Sequence, residues 1–521
     1  MTKTDSPRVA ARALSNRVAA GIVFLAAAAV LVLEVVALRL VGPYVGITLQ
    51  TSSAVIGVSL AAIAYGAWVG GAFADRADPR RLLPRAFALA ALATALTLPL
   101  VRWLGEVLRG TGVLGVLALA ALAVFIPGAL LSAITPIVVK LQLADVRRTG
   151  RVVGSLSSIG TLGGITATLV TGFVLVAALP SSTILLGLAG LLAVAAGLLW
   201  LLQRPDGQPS AAAPLARVRG LGSLLGRNRG AAGFAVLALT GAGLTSAVPT
   251  PCDVETAYQC ARIVVDPDRP GGRTLLLNGA PHSYVDLNDP TYLQFGYIQW
   301  LGQVVDHVAA PGRPIRALHI GGGGFTLPGY VTATRPGSTN RVLELDGALV
   351  RLDEQRLGVT PGPNLSIVVG DARVSMTREA ASTYDLVIGD AFGHLAVPWH
   401  LTTREFVTDI ARVLRPGGVY ALNVIDYPPD KLIRAELATI MAVFAHVALI
   451  APNAALAGRT GSNFVLVASD APLPDDLLGP GVATVPRPAT LVDGDALLAY
   501  RGTAMILTDD YAPVDQLLGH P

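Results

Sequence analysis

The sequence predicts a multi-domain protein: an N-terminal all-α bundle of about seven transmembrane helices, then a C-terminal α/β domain of the Rossmann-like type. Three observations support this fold class. The 521 residues are 52% hydrophobic and only 14% charged, a composition that is rare in soluble domains. Long apolar stretches fill the first half of the chain. In the second half, four short apolar runs each stop at glycine or an acidic residue, which is typical of parallel strands.

The predicted transmembrane domain covers residues 1–248. A helix needs about 20 apolar residues to cross a bilayer core, and seven stretches are long enough. The first is too long, and is followed by too many others, to be a cleaved signal peptide. The stretches lie near residues 18–41, 50–73, 84–105, 112–136, 152–179, 181–202 and 230–248.

Small residues mark several of these stretches, such as Gly66 and Gly70 in the second and Gly163 and Gly164 in the fifth. Helices in lipid associate without a hydrophobic driving force, so close contact depends on small side chains. We therefore expect these glycines to lie where helices meet.

The distribution of charge predicts the orientation of the bundle. Residues 1–250 carry 20 Lys and Arg against 7 Asp and Glu, and residues 251–521 carry 19 against 28. The basic residues cluster before the first stretch and after the second, fourth and sixth, which predicts a cytoplasmic N-terminus in the plasma membrane. Seven crossings would place the second half of the chain outside the cytoplasm. If residues 230–248 lie in the membrane interface instead, the second half returns to the cytoplasm.

A basic linker is expected at residues 203–229, because prolines, glycine and alanines there precede a run of arginines. We expect these arginines to contact anionic membrane lipid. The chain has none of the aromatic interleaving or groove-reading helices of a nucleic-acid binder, so no nucleic-acid partner is expected.

The chain has only two cysteines, Cys252 and Cys260, which both follow the last apolar stretch. A pair eight residues apart is typical of a small disulfide loop in an oxidising compartment. The alternative is two unrelated buried thiols.

The predicted ligand site lies where four strands of the α/β domain end. The first strand runs into Gly321, Gly322, Gly323 and Gly324, the second ends beside Glu344, the third at Asp371 and Ala372, and the fourth at Asp390. Open α/β sheets bind ligands at the carboxyl ends of their parallel strands. The glycines let backbone N–H groups approach a ligand closely, and an acid after the second strand can accept both hydroxyls of a ribose. The alternative is that acids merely cap the strand ends.

Residues 260–468 resemble the spermidine synthase (polyamine aminopropyltransferase) family, which has a class I methyltransferase-type fold. Residues 508–513 resemble a terminal motif of its membrane-fused branch. The resemblance rests on the order and spacing of these segments: Leu276 to Gly279, Ile320 to Gly324, Glu344 to Asp346, Gly370 to Ala372, Tyr384 to Asp390, and Leu414 to Gly418.

The resemblance implies roles for several residues. Glu344 would hold the ribose and Asp371 the adenine of decarboxylated S-adenosylmethionine or S-adenosylmethionine, the co-substrate. Asp390 would be the acid that helps to deprotonate the attacking amine. Asp289 and Tyr292, which loosely match the family's acid and tyrosine, would contact that amine. His282 and His394 stand where the family has other residues, and we expect them to shape the substrate site of this chain. The family also implies a homodimer and requires no metal.

The resemblance also implies a division of residues 249–521. A small β-hairpin subdomain would occupy about 255–290, the Rossmann-like core about 291–470, and a C-terminal segment 471–521.

The chain departs from the family at three places. The family usually has an aspartate where this chain has Gly324, and a second acid where it has Gly393 followed by His394. The early Asp-Gly-x-x-Gln motif is replaced by a segment that begins at Asn278 and ends at His282. Each change removes an acid or an amide from the pocket that would receive a polycation.

Three functions are consistent with these patterns. The first is a membrane-integral aminopropyltransferase-like enzyme that alkylates a small-molecule amine. The second is an S-adenosylmethionine-dependent methyltransferase on the same fold. The third is a non-catalytic domain that binds an amine or nucleoside as a sensor or as part of a transporter.

Overall fold

The computed structural model describes residues 15–45, 49–108, 112–143, 149–202, 250–393, 397–473 and 486–519. The chain divides into two compact units, Met1–Pro251 and Cys252–Pro521. The first is helical and the second contains two β-sheets, so the predicted fold class is confirmed.

The helical unit contains six helices that are long and apolar enough to cross a membrane, by length and composition. The fourth and fifth each include a short π-helical turn, at Ala121–Phe125 and Thr171–Leu175. The seventh predicted stretch, residues 230–248, and the predicted linker, residues 203–229, lie outside the described residues. The six are Asn16–Val45 (α1), Leu49–Arg76 (α2), Pro79–Leu108 (α3), Gly112–Gln142 (α4), Thr149–Ala178 (α5) and Ser181–Leu202 (α6).

Glycines set the distance between some of these helices. A Cβ atom added at Gly66 of α2 would overlap the carbonyl oxygen of Ala129 in α4. One added at Gly163 of α5 would lie 2.5 Å from the carbonyl oxygen of Phe24 in α1. These backbones therefore touch where only glycine fits, as small-residue packing in lipid requires.

The α/β unit begins with a small antiparallel sheet in the order β1-β2-β3-β4. Its strands are Val254–Glu255 (β1), Cys260–Val265 (β2), Gly272–Leu277 (β3) and Ala280–Asp286 (β4). Cys252 and Cys260 form a disulfide at the start of this sheet.

The second sheet has eight strands in the order β12-β10-β11-β9-β8-β5-β6-β7. Strands β5 to β8 are parallel to their neighbours. Strand β9 is parallel to β8 and antiparallel to β11, and β10 pairs antiparallel with β11 and β12. The strands are Arg316–Ile320 (β5), Thr339–Glu344 (β6), Leu365–Val369 (β7), Tyr384–Gly389 (β8), Leu414–Asp426 (β9), His446–Ala451 (β10), Ser462–Ser469 (β11) and Thr490–Val492 (β12).

Helices cover both faces of this sheet, because its central strands are apolar on both sides. In β5, the four residues Ala317 to Ile320 are all buried. The helices are Gly296–His307 (α7), Thr326–Thr334 (α8), Gly347–Arg356 (α9), Ala372–Met376 (α10), Arg404–Val413 (α11), Lys431–Met441 (α12), Asn453–Leu456 (α13), Gly494–Arg501 (α14) and Val514–Leu517 (α15).

The strand order positions the site. From β5 the chain proceeds outward to β6 and β7 on one side, and then returns to β8 on the other side. The crevice between the carboxyl ends of β5 and β8 is the point at which such sheets bind ligands.

Candidate active site

A cavity opens at this reversal point, and the space between its walls, open solvent included, is about 470 Å³. The glycine loop after β5 and the end of β8 form one side of it, and residues from β4, α7 and α8 form the rest. It is lined by His282, Ser283, Tyr297, Ile298, His319, Gly321, Gly322, Gly323, Thr326, Leu327, Pro328, Ile388, Asp390 and Phe392.

The glycine loop presents backbone to the cavity. Gly321 has φ +93°, and a Cβ atom there would lie 2.6 Å from the carbonyl oxygen of Asp390. Gly323 has φ +48°, also in the left-handed region that favours glycine. At Gly324 a Cβ atom would lie 2.9 Å from the Cβ of Ser283, whose Oγ accepts a hydrogen bond from the Gly324 N–H at 2.9 Å. A side chain at these positions would close the loop to a ligand.

Glu344, at the end of β6, supports this loop from behind. One carboxylate oxygen accepts from the Gly322 N–H at 2.7 Å and the other from the Asp346 N–H at 2.9 Å. Burial raises the pKa of Glu344, and these backbone hydrogen bonds oppose that change. A carboxylate has about four acceptor positions, so the group can brace the loop and still accept from a ligand hydroxyl.

Asp390, at the end of β8, is the carboxylate inside the cavity. The Asn423 Nδ2 group donates to its Oδ1 at 2.8 Å, and the Tyr297 hydroxyl lies 3.5 Å from its Oδ2. Burial raises the pKa of Asp390 to about 6, although both contacts act to lower it. Asn423 is oriented in turn by Asn463, whose Nδ2 donates to its Oδ1 at 3.0 Å. Asp390 is therefore a partly buried, oriented proton acceptor near neutral pH.

His319 of β5 lines the cavity as a neutral ring. Its Nε2 lies 2.9 Å from Asn340 Oδ1, and the Asn340 amide donates to Thr332 Oγ1 at 3.1 Å. Burial lowers the pKa of His319 to about 4. From the sequence, His319 is expected only as part of a strand and not as a site residue. Its signal was a polar residue within an otherwise apolar run that is buried on both faces.

Asp371 follows β7 and caps helix α10, where its Oδ1 accepts from the Val374 N–H at 3.0 Å. Its Oδ2 lies 3.0 Å from His400 Nε2. The next helical residues are also fixed, because Arg373 forms an ion pair with Asp509 at 2.7 Å. The third predicted acid is therefore at the expected strand edge, but it is already paired and does not line the cavity.

The residues predicted to contact an amine fall in different places. His282 lines the cavity. Asp289 and Tyr292 instead surround Arg269, which lies 3.3 Å from the Asp289 carboxylate and 3.5 Å from the centre of the Tyr292 ring. Neither lines the cavity, because both are engaged by Arg269. His394 lies outside the described residues.

Within the described part of the chain, no group of three or more His, Cys, Asp or Glu residues is arranged to hold a metal ion. The cavity offers a backbone surface free of side chains, one carboxylate and several rings, among them His319 and Tyr297. These groups can bind a polar organic molecule and accept a proton from it.

The chain is similar to known proteins. It is 33% identical over 134 residues to the polyamine aminopropyltransferase of Vibrio vulnificus, a match that covers 25% of this chain and 44% of that protein. The chain thus spans less than half the length of this curated relative. No protein-family model matches the chain.

Two solved structures are also similar. A probable spermidine synthase from Corynebacterium glutamicum is 28% identical, with a TM-score of 0.46 over 51% of this chain and 96% of that one. The spermidine synthase from Thermotoga maritima is 19% identical, with a TM-score of 0.34 over 47% and 81%. The match to the curated relative confirms the predicted resemblance to the spermidine synthase family.

Proposed function

We propose that this chain, which is similar to the spermidine synthase family, is a membrane-integral aminopropyltransferase-like enzyme. It transfers an alkyl group from an adenosyl-sulfonium donor to an amine. The observation that carries this proposal is the partly buried carboxylate of Asp390 beside a cavity with a backbone floor. Its pKa, raised by burial to about 6, suits a group that accepts a proton near neutral pH.

The donor is decarboxylated S-adenosylmethionine or S-adenosylmethionine, held by the loop Gly321 to Gly324 together with Glu344, Asp371 and Ala372. The bare backbone of the loop supports this assignment, because a bulky nucleoside can approach it closely. When bound, the donor supplies a carbon beside a sulfonium, from which a neutral thioether can leave.

The residues of this chain align the amine and remove its proton. As the amine nitrogen bonds to the donor carbon and the carbon–sulfur bond breaks, Asp390 accepts the proton that the nitrogen loses. Tyr297 and Asn423 orient the carboxylate. Alignment of the two reactants supplies most of the acceleration, since the sulfonium is already a good leaving group. His282 borders the amine site, while contacts from Asp289, Tyr292 and His394 remain predictions.

The test uses the purified full-length protein in detergent. Calorimetry with 5′-methylthioadenosine, which lacks the reactive sulfonium, should show saturable binding. Incubation with decarboxylated S-adenosylmethionine and a set of amines should then give an alkylated amine by mass spectrometry. Methyl transfer from S-adenosylmethionine would identify a methyltransferase instead. Binding without any transfer would identify a sensor. A lack of binding to every adenosyl compound would overturn both transferase functions and a nucleoside sensor.

We further infer that the protein lies in the plasma membrane with its N-terminus in the cytoplasm and its α/β unit outside. The arginines and lysines at alternate helix ends support the first part. The disulfide between Cys252 and Cys260 supports the second, because disulfides persist in oxidising compartments. Seven crossings, of which residues 230–248 would be the last, are consistent with a cytoplasmic N-terminus and an α/β unit outside.

The orientation is tested by labelling intact cells with a membrane-impermeant maleimide. Because both cysteines are joined, label should appear only after treatment with a membrane-impermeant reductant. Label that appears only after cell lysis would place the α/β unit in the cytoplasm. Homodimer formation and lipid contact by the linker at residues 203–229 are further proposals, which mass measurement in lipid nanodiscs would test.

A further inference from the structure

We propose that the acceptor is a primary amine with a single charged group and an uncharged body, and that short diamines are poor acceptors. This inference rests on the proposed amine alkylation at the same cavity. Among the fourteen described residues that line the cavity, Asp390 is the only one with a carboxylate. One ammonium group can therefore be matched inside it.

The wall beyond Asp390 and the glycine loop is apolar. It consists of Ile298, Leu327, Pro328 and Phe392, of which Ile298 and Leu327 are almost fully buried. Such a surface binds hydrocarbon by removing it from water, at about 25 cal/mol for each Å² buried. It offers a second ammonium group no compensating charge.

The polar groups of the lining are already engaged. The Thr326 hydroxyl donates to the Tyr284 carbonyl at 3.0 Å, and Ser283 Oγ accepts from the Gly324 N–H. Burial keeps the His319 ring neutral, and its Nε2 is hydrogen-bonded to Asn340. A histidine carries no negative charge in either protonation state, so neither His319 nor His282 can pair with an ammonium group as an anion.

The nearest acids of the neighbouring strand ends are committed elsewhere. Glu344 does not line the cavity, braces the glycine loop and is assigned to the donor in the proposed function, and Asp371 is paired with His400. A second ammonium group in the cavity would therefore lose its hydration without gaining a counter-charge. Burying a charge without a partner is unfavourable, and we expect about a tenfold or greater loss of efficiency.

The experiment compares butylamine with 1,4-diaminobutane, which have the same chain length and differ only in the second amino group. Full-length protein in detergent is saturated with decarboxylated S-adenosylmethionine, and kcat/KM is measured for each amine. We expect the value for butylamine to exceed that for the diamine by about tenfold or more. An equal or higher value for the diamine would overturn the inference.

A gain-of-charge variant tests the cause. Phe392→Asp adds a second carboxylate to the apolar wall and should shift the ratio toward the diamine by about tenfold, whereas the control Phe392→Leu should leave the ratio near that of the unmodified protein. A ratio that does not move in a folded Phe392→Asp protein would also count against the inference. If that variant does not fold, the comparison of the two amines on the unmodified protein still decides.

Binding of 5′-methylthioadenosine separates the two levels of the argument. Donor-site binding with preference for the diamine overturns the inference and leaves the transferase proposal intact. Donor-site binding without transfer to any amine overturns both.

Discussion

The two units of this chain differ in the polar side chains that they bury. Among the described residues of the helical unit, every buried polar side chain is a hydroxyl of Ser or Thr. The α/β unit buries five carboxylates of Asp, three of Glu, and one arginine, Arg335. Arg335 donates to five backbone carbonyl oxygens, including those of Val305 and Asp306.

Their surfaces differ in the same sense. Large apolar side chains such as Trp68, Leu114 and Phe173 are exposed on the helical unit, at 70%, 78% and 79% of their surface. An apolar exterior is stable in lipid, where water does not compete for it. The helical unit therefore has the surface and interior of a protein in an apolar solvent, whereas the α/β unit contains buried charged side chains.

The largest expected effect comes from removing the partly buried charge at the site. Asp390→Asn should lower kcat by about 10²–10⁴-fold, because the amide cannot accept the proton, while binding of 5′-methylthioadenosine stays unchanged. In the unmodified protein kcat/KM should rise with pH through about 6, as Asp390 loses its proton, and the variant should lack this rise. Asp515→Asn, at an exposed position, is the control.

The same substitution, Asp390→Asn, also tests how the carboxylate affects stability. A carboxyl group whose pKa is raised on folding favours the folded state below its unfolded pKa of about 4, and that contribution is lost as pH rises through about 6. Asp390→Asn should therefore raise the melting temperature at pH 8 but not at pH 4. A lower melting temperature at pH 8 would show that the carboxylate stabilises the fold.

The second effect concerns the glycine loop. Gly321→Ala should abolish binding of 5′-methylthioadenosine, because the new methyl group meets the Asp390 carbonyl oxygen and the φ of +93° is strained for alanine. Gly312→Ala is a matched control, since Gly312 has φ +70° with open space around it, and should cost only about 1–2 kcal/mol. Calorimetry and thermal unfolding measure both. If Gly321→Ala and Gly312→Ala lost binding equally, backbone strain at positive φ, rather than the contact with Asp390, would be responsible.

A smaller effect is expected in the helical unit. Gly66→Ala should lower the melting temperature in detergent, because the added methyl group would overlap the backbone of α4 and force the helices apart. Gly71→Ala, on the same helix but facing open space, should be neutral. Neither variant should change binding of 5′-methylthioadenosine. A loss of binding in Gly66→Ala would show that the two units depend on each other.

The smallest effect comes from a buried acid outside the cavity. Asp353 of α9 is fully buried, and neither of its carboxylate oxygens has a hydrogen-bond partner. Burial, with Glu344 and Asp346 nearby, raises its pKa to about 9. Its contribution to stability is thus present below about pH 4 and lost as pH rises toward 9.

Asp353→Asn should consequently raise the free energy of unfolding at pH 8 by about 1–3 kcal/mol and leave it unchanged at pH 4. Unfolding midpoints at the two pH values provide the measurement. An equal change at both would attribute the effect to packing.

The elements that could be predicted from sequence are those fixed by strand ends. Gly321, Glu344 and Asp390 follow successive parallel strands, and parallel strands share one carboxyl edge, so their proximity follows from the apolar runs alone. The long apolar helices could also be predicted from the sequence, since their length and hydropathy are read directly from it.

Partners supplied by distant segments could not be predicted. The pairing of Asp371 with His400 depends on how the chain returns after β8, and the engagement of Asp289 and Tyr292 depends on Arg269 in a hairpin turn. Ser283 occupies the space beside Gly324 because β4 crosses the loop. These contacts arise from tertiary packing, so the local spacing of residues in the sequence does not predict them.

The amide pair that holds Asp390 has a practical consequence. Asn423 and Asn463 sit on adjacent antiparallel strands, in register Val424 with Phe464, and a slip by one residue would turn the second amide to the opposite face. Initial velocity at pH 7 would then fall even if the glycine loop were intact. A turnover assay can thus serve during refolding trials as a gauge of whether the last strands have assembled correctly.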